Sequence, residues 1–244
     1  MATFISIFSQ KGGVGKTTLT MVLATHFAVV EKRKVIVIDG DHPQHNFFHE
    51  RELEMAKAEQ NESFRKSVEA QGVEPYPVLE ASLSDLALFI DHFRKEGGDE
   101  IVFIDLPGTV NTPGYMDVVN RLDYGILPME ADKFTFVSGL QTLNAVYDQL
   151  QEGKTKIKMF MLWNKYMERE RQNIYTTINA QIQEAGFVTV LHNRVKHSVL
   201  WKNQRSTLIP EVSIKPVADE ISTLLFETKK VSKKNVLKTA PVNL

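Results

Sequence analysis

Residues 11–18 read Lys-Gly-Gly-Val-Gly-Lys-Thr-Thr, and this glycine-rich run restricts the possible folds more than any other stretch of the chain. Ahead of it, Phe4–Phe8 is a short apolar run with the length and composition of a buried strand. Behind it, Leu19, Val22, Leu23, Phe27 and Val30 recur at helical spacing. A strand that passes into a helix through glycines can turn backbone N–H groups inward, and the helix N-terminus adds a dipole that favours an anion. Gly12, Gly13 and Gly15 lead into Lys16, Thr17 and Thr18, which is the ending of a phosphate loop. In such a loop Lys16 reaches the β- and γ-phosphates and Thr17 sets its hydroxyl on Mg²⁺. A turn built only for packing has no need of Gly-Lys-Thr-Thr at that place.

The rest of the chain repeats the alternation. Further apolar runs lie at Val35–Ile38, Ile101–Ile104, Tyr124–Leu127, Lys158–Leu162 and Val188–Leu191. Helical spacing lies between them, at Leu140, Leu143, Tyr147 and Leu150, at Ile174, Ile178 and Ile182, and at Val217, Ile221, Leu224 and Leu225. Strands alternating with helices predict one α/β P-loop domain, a twisted and mainly parallel sheet flanked by helices on both faces. We place this domain at residues 1–228. Within it, 47–82 holds 8 acidic and 4 basic residues and reads as a long helix plus a loop inserted after the second strand. Residues 229–244 contain five lysines and no acid, and read as a loose tail.

Composition removes several classes of function. The absence of cysteine excludes disulfides, thiolate nucleophiles, Cys-bound zinc and iron–sulfur clusters. The longest stretches free of charged residues, Thr17–Val30 and Phe134–Tyr147, fall short of the roughly 20 apolar residues of a membrane span. The opening MATFISIFSQ has no basic region of the kind that starts a signal peptide, so a cytoplasmic chain is expected. A net charge of −1 means that any affinity for nucleic acid or membrane must come from a local patch.

Carboxylates at the C-terminal ends of strands beside the loop are suited to hold a metal and position an attacking water. Asp39 and Asp41 follow one apolar run, and Asp105 follows another. A strand-end aspartate also serves as a helix or turn cap, and for Asp39 that reading stands beside the metal one.

The run KGGVGKTT, with Lys11 at its head, resembles the deviant Walker A motif of the ParA/MinD family of ATPases. The resemblance extends from about Thr3 to Phe226 and implies ATP and Mg²⁺ as cofactors. It implies a nucleotide-binding set of Lys11, Gly12, Gly13, Val14, Gly15, Lys16, Thr17 and Thr18, with Asn164 at the adenine base. Lys11 would reach the nucleotide of a second copy, so an ATP-sandwich homodimer is implied. IVFIDLPG is similar to the family's Walker B strand and second switch, which makes Asp105 a metal-supporting residue alongside Thr17 and Asp39. IDGDHPQHN resembles the family's first switch, in which Asp41 would orient the water, so the catalytic set is Lys11, Lys16 and Asp41. His42, between Asp41 and Pro43, is one residue more than that pattern has.

Cysteine-free composition sets aside the iron–sulfur members of the family, and the lack of tyrosine after Tyr175 sets aside its tyrosine kinases. A ParA-like partition or positioning ATPase then implies non-specific DNA binding, nucleoid association and stimulation by a ParB-type partner. With only two residues ahead of the first strand and so no N-terminal helix-turn-helix expected, DNA contact would fall to surface bases, with Arg194, Lys196, Lys202 and Arg205 as candidates. The alternative is a MinD-like membrane-cycling ATPase. The tail argues against it, because Val231, Val236 and Leu237 before Pro241 make a poor apolar face and no aromatic joins them. A nucleotide-bound scaffold without turnover is a third reading, opposed by the presence of Lys16, Thr17, Asp41 and Asp105.

Overall fold

The structure, a computed structural model, describes residues 1–168, 172–197 and 205–226. Thr3–Ile7 forms β1, every residue of it buried, and the glycine loop leads into α1, Lys16–Thr25. α1 continues as one π-helical turn, His26–Val30. After β2, Val35–Asp39, come α2, Asn46–Gln60, and α3, Glu62–Glu69. Next are β3, Val78–Glu80, α4, Leu83–Glu96, and β4, Ile101–Asp105. The chain goes on through α5, Tyr115–Val119, β5, Tyr124–Met129, and α6, Lys133–Gln151. β6, Lys158–Trp163, α7, Gln172–Glu184, β7, Val188–Val190, and α8, Lys215–Phe226, complete it.

The strands form one sheet in the order β3-β2-β4-β1-β5-β6-β7, and every pairing is parallel. The single-domain α/β expectation is met, and "mainly parallel" becomes wholly parallel. Alternate residues of each strand go to opposite faces. On one face Ile5, Ile7, Val37, Phe103 and Leu162 pack with Leu19, Leu23 and Phe27 of the first helix and with Ile221 and Leu225 of α8. On the other, Phe4, Ile38, Val102, Ile104 and Met161 pack against Leu86 and Ile90 of α4, Leu143 of α6 and Ile182 of α7. Both faces are therefore dry, which is why the strands read as continuous apolar runs.

The chain leaves β1 toward β2 on one side and leaves β4 toward β5 on the other, so the winding reverses beside β1. In open α/β sheets, ligands bind in the crevice at such a reversal, off the carboxyl ends of the strands. The glycine loop sits there.

Residues 47–82 differ from expectation. The charged segment is two helices, broken where Asn61 turns extended and its side chain accepts from the Phe64 N–H to cap α3. It also contains an edge strand, β3, in which only Val78 is partly covered. The segment is not a surface appendage, for Phe47 and Tyr76 are buried. Buried Arg51 donates to the Thr207 hydroxyl (2.8 Å), to the Thr207 carbonyl (2.9 Å) and to the Tyr76 carbonyl. Glu54 accepts from the Thr207 N–H at 2.7 Å, so α2 holds the 206–209 loop in place.

Candidate functional site

The loop is shaped by two glycines in the left-handed region, Gly13 (φ 74°) and Gly15 (φ 91°). Gly15 precedes α1 with no side chain capping the helix, which leaves first-turn N–H groups open to an anion. A Cβ at Gly15 would lie 2.9 Å from the Asn164 amide nitrogen, so a bare Cα is required there on contact as well as conformation. A Cβ added at Gly12 or Gly13 would meet nothing within 4 Å, so the crown of the loop is open.

Lys16 folds back over this loop. Its ammonium donates to the Lys11 carbonyl at 3.3 Å, and the residue is only 9% exposed. Burial pushes its pKa down, opposed by the charges of Asp105 and Asp41. A Cβ on Gly108 would stand 3.6 Å from the same ammonium, which puts the start of the Leu106–Gly108 segment against Lys16.

Asp39 and Asp105 are register partners at the ends of β2 and β4, and Ile7 of β1 is the partner of Asp105 on the other side. Both carboxylates are fully buried, but their surroundings differ. Asp39 accepts from the Asp41 N–H at 3.1 Å and from the Phe47 and Phe48 N–H groups at 2.9 and 3.1 Å. It therefore caps α2 and fixes the Asp41 turn, the capping alternative raised by the sequence. Neither oxygen of Asp105 has a hydrogen-bond partner of ordinary geometry. Burial first, and then the Asp39 charge, push Asp105 up to about 8, while the Thr17 hydroxyl beside it pulls the other way.

Asp41 is partly exposed. Burial and Asp39 raise its pKa, and Lys16 and His45 oppose the rise. The extra His42 lies in a turn whose ring meets His45 edge-on, Nδ1 to Nε2 at 3.2 Å, while His45 holds the left-handed position that starts α2.

Asn164 directly follows β6 and its side-chain nitrogen donates to the Val14 carbonyl at 2.7 Å. The amide donor thus serves the loop. Lys11 extends to the start of α6, 3.1 Å from an Asp132 oxygen and within reach of the Thr135 hydroxyl. Asp132 caps that helix through the Phe134 and Thr135 N–H groups. Against partial desolvation, the Thr135 hydroxyl and backbone and the Lys11 ammonium hold Asp132 down to about 2.

Several groups here had no motif to announce them. Lys165 donates to the Gly13 carbonyl and to Glu130, both at 2.8 Å, a second strap on the loop. Tyr115 is buried with its hydroxyl unpartnered, and burial and the Asp105 charge both raise its pKa. The only signal for Lys165 was its place after the Asn164 strand end.

Among the described residues, the basic groups proposed for DNA are engaged within the chain. Arg194 stacks over Tyr166 and Tyr175, Lys196 pairs with Glu168 at 2.6 Å, and Arg205 approaches Glu50 at 3.7 Å. Lys202 and the Lys229–Leu244 tail fall outside the described residues. Among the described residues no helix is long and apolar enough to cross a membrane.

The sequence from 5 to 210 matches the model of the CobQ/CobB/MinD/ParA nucleotide-binding domain. The chain belongs to that family. No curated protein is matched significantly by sequence. Solved structures share the family fold at low identity. MinD of Pyrococcus horikoshii OT3 with Mg-ADP aligns at TM-score 0.63 and 20% identity, over 95% of this chain and 100% of that one. A plasmid partition protein of Borrelia burgdorferi B31 bound to AMPPNP gives 0.61 and 17%, over 95% and 100%. Apo McdA of Cyanthece gives 0.60 and 16%, over 93% and 96%.

Proposed function

We propose that this chain is an ATP-binding and hydrolysing dimerisation switch that uses Mg²⁺. The observation that carries the reading is Asp105, a buried carboxyl with no hydrogen-bond partner of ordinary geometry, beside Thr17 and Lys16 at the phosphate loop. An aspartate so placed is costly unless a cation returns it to its charged form. The donor set is all oxygen, which suits Mg²⁺. Thr17 and Asp105 would hold the ion, with Asp39 supporting them by fixing the loop between β2 and α2. When bound, Mg²⁺ neutralises charge on the β- and γ-phosphates.

The chain's own groups supply the rest. Backbone N–H groups from Gly12 to Thr18 bind phosphate oxygens, and Lys16 adds a charge-assisted contact. Asp41, on the turn that Asp39 pins, orients the attacking water. Asn164 keeps Val14 and Gly15 in position and flanks the base. Lys11 leaves Asp132 to reach the nucleotide of a second copy. The direct test pairs two variants. Lys16→Ala loses tight ATP binding, whereas Asp41→Ala keeps binding but hydrolyses far more slowly and accumulates as an ATP dimer. Wild-type turnover in Asp41→Ala would remove the water-positioning role from that residue.

For the cargo, we place a ParA-like role in DNA partition or positioning, with a ParB-type activator, ahead of a membrane-cycling role. Charge supports the choice, since from Trp201 to Leu244 there are eight basic and four acidic residues in a near-neutral chain.

A further inference from the structure

At the far end of α1, roughly 15 Å along the helix from the phosphate loop at 1.5 Å per residue, three ligand-bearing side chains converge for no purpose yet described. We propose that His26, Glu31 and Asp219 form a binding site for a transition-metal dication of the zinc type. Their nearest ligand atoms all lie within 4.8 Å of one another, with His26 Nε2 4.0 Å from Asp219 Oδ1.

Two independent features point to a ligand. His26 is 1% exposed, and its Nε2 is buried without a hydrogen-bond partner. Glu31 Oε1 is buried and unpartnered in the same way. Each such atom, buried without a partner, is a cost to the fold. A single ion accepted by both would remove two such costs together.

The local backbone makes the convergence. In an α-helix, a residue five positions on lies about 140° round the axis from the first. Here the helix changes to π winding over His26–Val30, and the Glu31 N–H bonds the His26 carbonyl at 3.2 Å. The wider turn brings Glu31 back over His26. Single π turns within α-helices recur at functional sites.

Neighbours aim the ligands. The Ser222 hydroxyl donates to Glu31 Oε2 at 2.8 Å and Arg33 Nε stands 3.5 Å from it, so Oε1 is the oxygen left for the cluster. Asp219 is half-exposed and gives the site an open side. Burial pushes the His26 pKa down, against the charges of Glu31 and Asp219, and so favours the neutral imidazole that ligates metals. One imidazole nitrogen with two carboxylate oxygens suits Zn²⁺ and its neighbours better than Mg²⁺, which takes oxygen alone. With metal–ligand bonds of about 2.0–2.1 Å, tetrahedral ligands lie roughly 3.4 Å apart, so binding draws the His26–Asp219 edge in by about half an ångström. Lys215 is the competitor, because its ammonium contacts both Asp219 oxygens at 3.0 and 2.8 Å. A loaded site would clamp the end of the phosphate-loop helix to α8.

The test is titration of untagged, nucleotide-free protein with Zn²⁺ by calorimetry and with Co²⁺ by visible absorption. One ion per chain is expected, with visible Co²⁺ bands and a rise in Tm on saturation. His26→Gln and Asp219→Asn should each weaken binding at least about tenfold. Lys215→Ala should tighten it, an effect opposite in sign to that of general damage. Lys16→Ala should leave it unchanged, which separates this site from the phosphate loop. If buried His26→Gln does not fold, the Asp219 and Lys215 variants decide. No saturable binding overturns the proposal. So does binding indifferent to Asp219→Asn, as zinc on exposed pairs such as His92–Glu96 would give.

Discussion

Asp132→Asn isolates the hold that one end of α6 has on Lys11. Asparagine still caps the helix, so the substitution removes the charge and little else. Asp132 sits at about 2 against an ordinary 3.8. In a dry site that difference would correspond to about 2.4 kcal/mol. The side chain is 39% exposed, and Thr135 contributes part of the effect, so screening leaves Lys11 a hold of about 1 kcal/mol or less. A depressed carboxylate contributes above its unfolded pKa and fades as pH falls through about 2, so the hold is complete at neutral pH. If Lys11 must leave Asp132 to join a partner's nucleotide, Asp132→Asn removes that cost. With one Lys11 freed on each copy, dimerisation with ATP should then tighten by up to about thirtyfold. Sedimentation equilibrium of Asp41→Ala against Asp41→Ala/Asp132→Asn, both at saturating ATP, reads it directly. An unchanged or weakened dimer in the double variant would refute the reasoning, and show that Lys11 never has to leave.

Three further outcomes are expected. Gly15→Ala should lower the urea midpoint by the equivalent of about 1–2 kcal/mol for its left-handed backbone, and should weaken ATP binding by displacing Asn164; a wild-type midpoint would contradict the contact. Asp105→Asn should raise the Tm of the nucleotide-free chain increasingly from pH 4 to pH 8. An acid raised from 3.8 to about 8 makes the folded state the better proton binder, so stability falls with pH across that window and not above it. Equal pH profiles of variant and parent would refute this. If the Arg194–Arg205 region binds DNA, log affinity of the ATP dimer should fall with log salt at about −0.9 per neutralised phosphate. Lys196→Ala should lower that slope by about one. A flat response together with ATP-dependent binding to anionic vesicles would favour the membrane role.

Much of this was legible in the sequence because the decisive signals are local. A strand buried on both faces announces itself by continuous apolar residues, and six strands fall within a residue or two of their expected ends. The phosphate loop needs glycine for φ values that other residues avoid, so Gly13 and Gly15 mark it directly. β3 escaped because an edge strand with one partly covered residue carries no apolar run. The order of strands was equally hidden, since pairing joins residues such as Ile7 and Asp105 that no local pattern connects. Asp39 could be read two ways because both roles need a carboxylate at a strand end, and only the Phe47 and Phe48 N–H groups decide which contacts it makes. The Arg51–Thr207 bridge spans 156 residues, a separation that no local pattern reports.

The two border strands are the briefest of the sheet, three residues each, Val78–Glu80 and Val188–Val190. A long bare border would offer a row of unpaired amide and carbonyl groups on which another chain could lay a further strand. Here that row ends almost as soon as it begins. Growth by sheet extension is therefore a poor route for two copies to join. The dimer proposed above, loop against loop across the carboxyl ends of the strands where Lys11 stands, needs no such border.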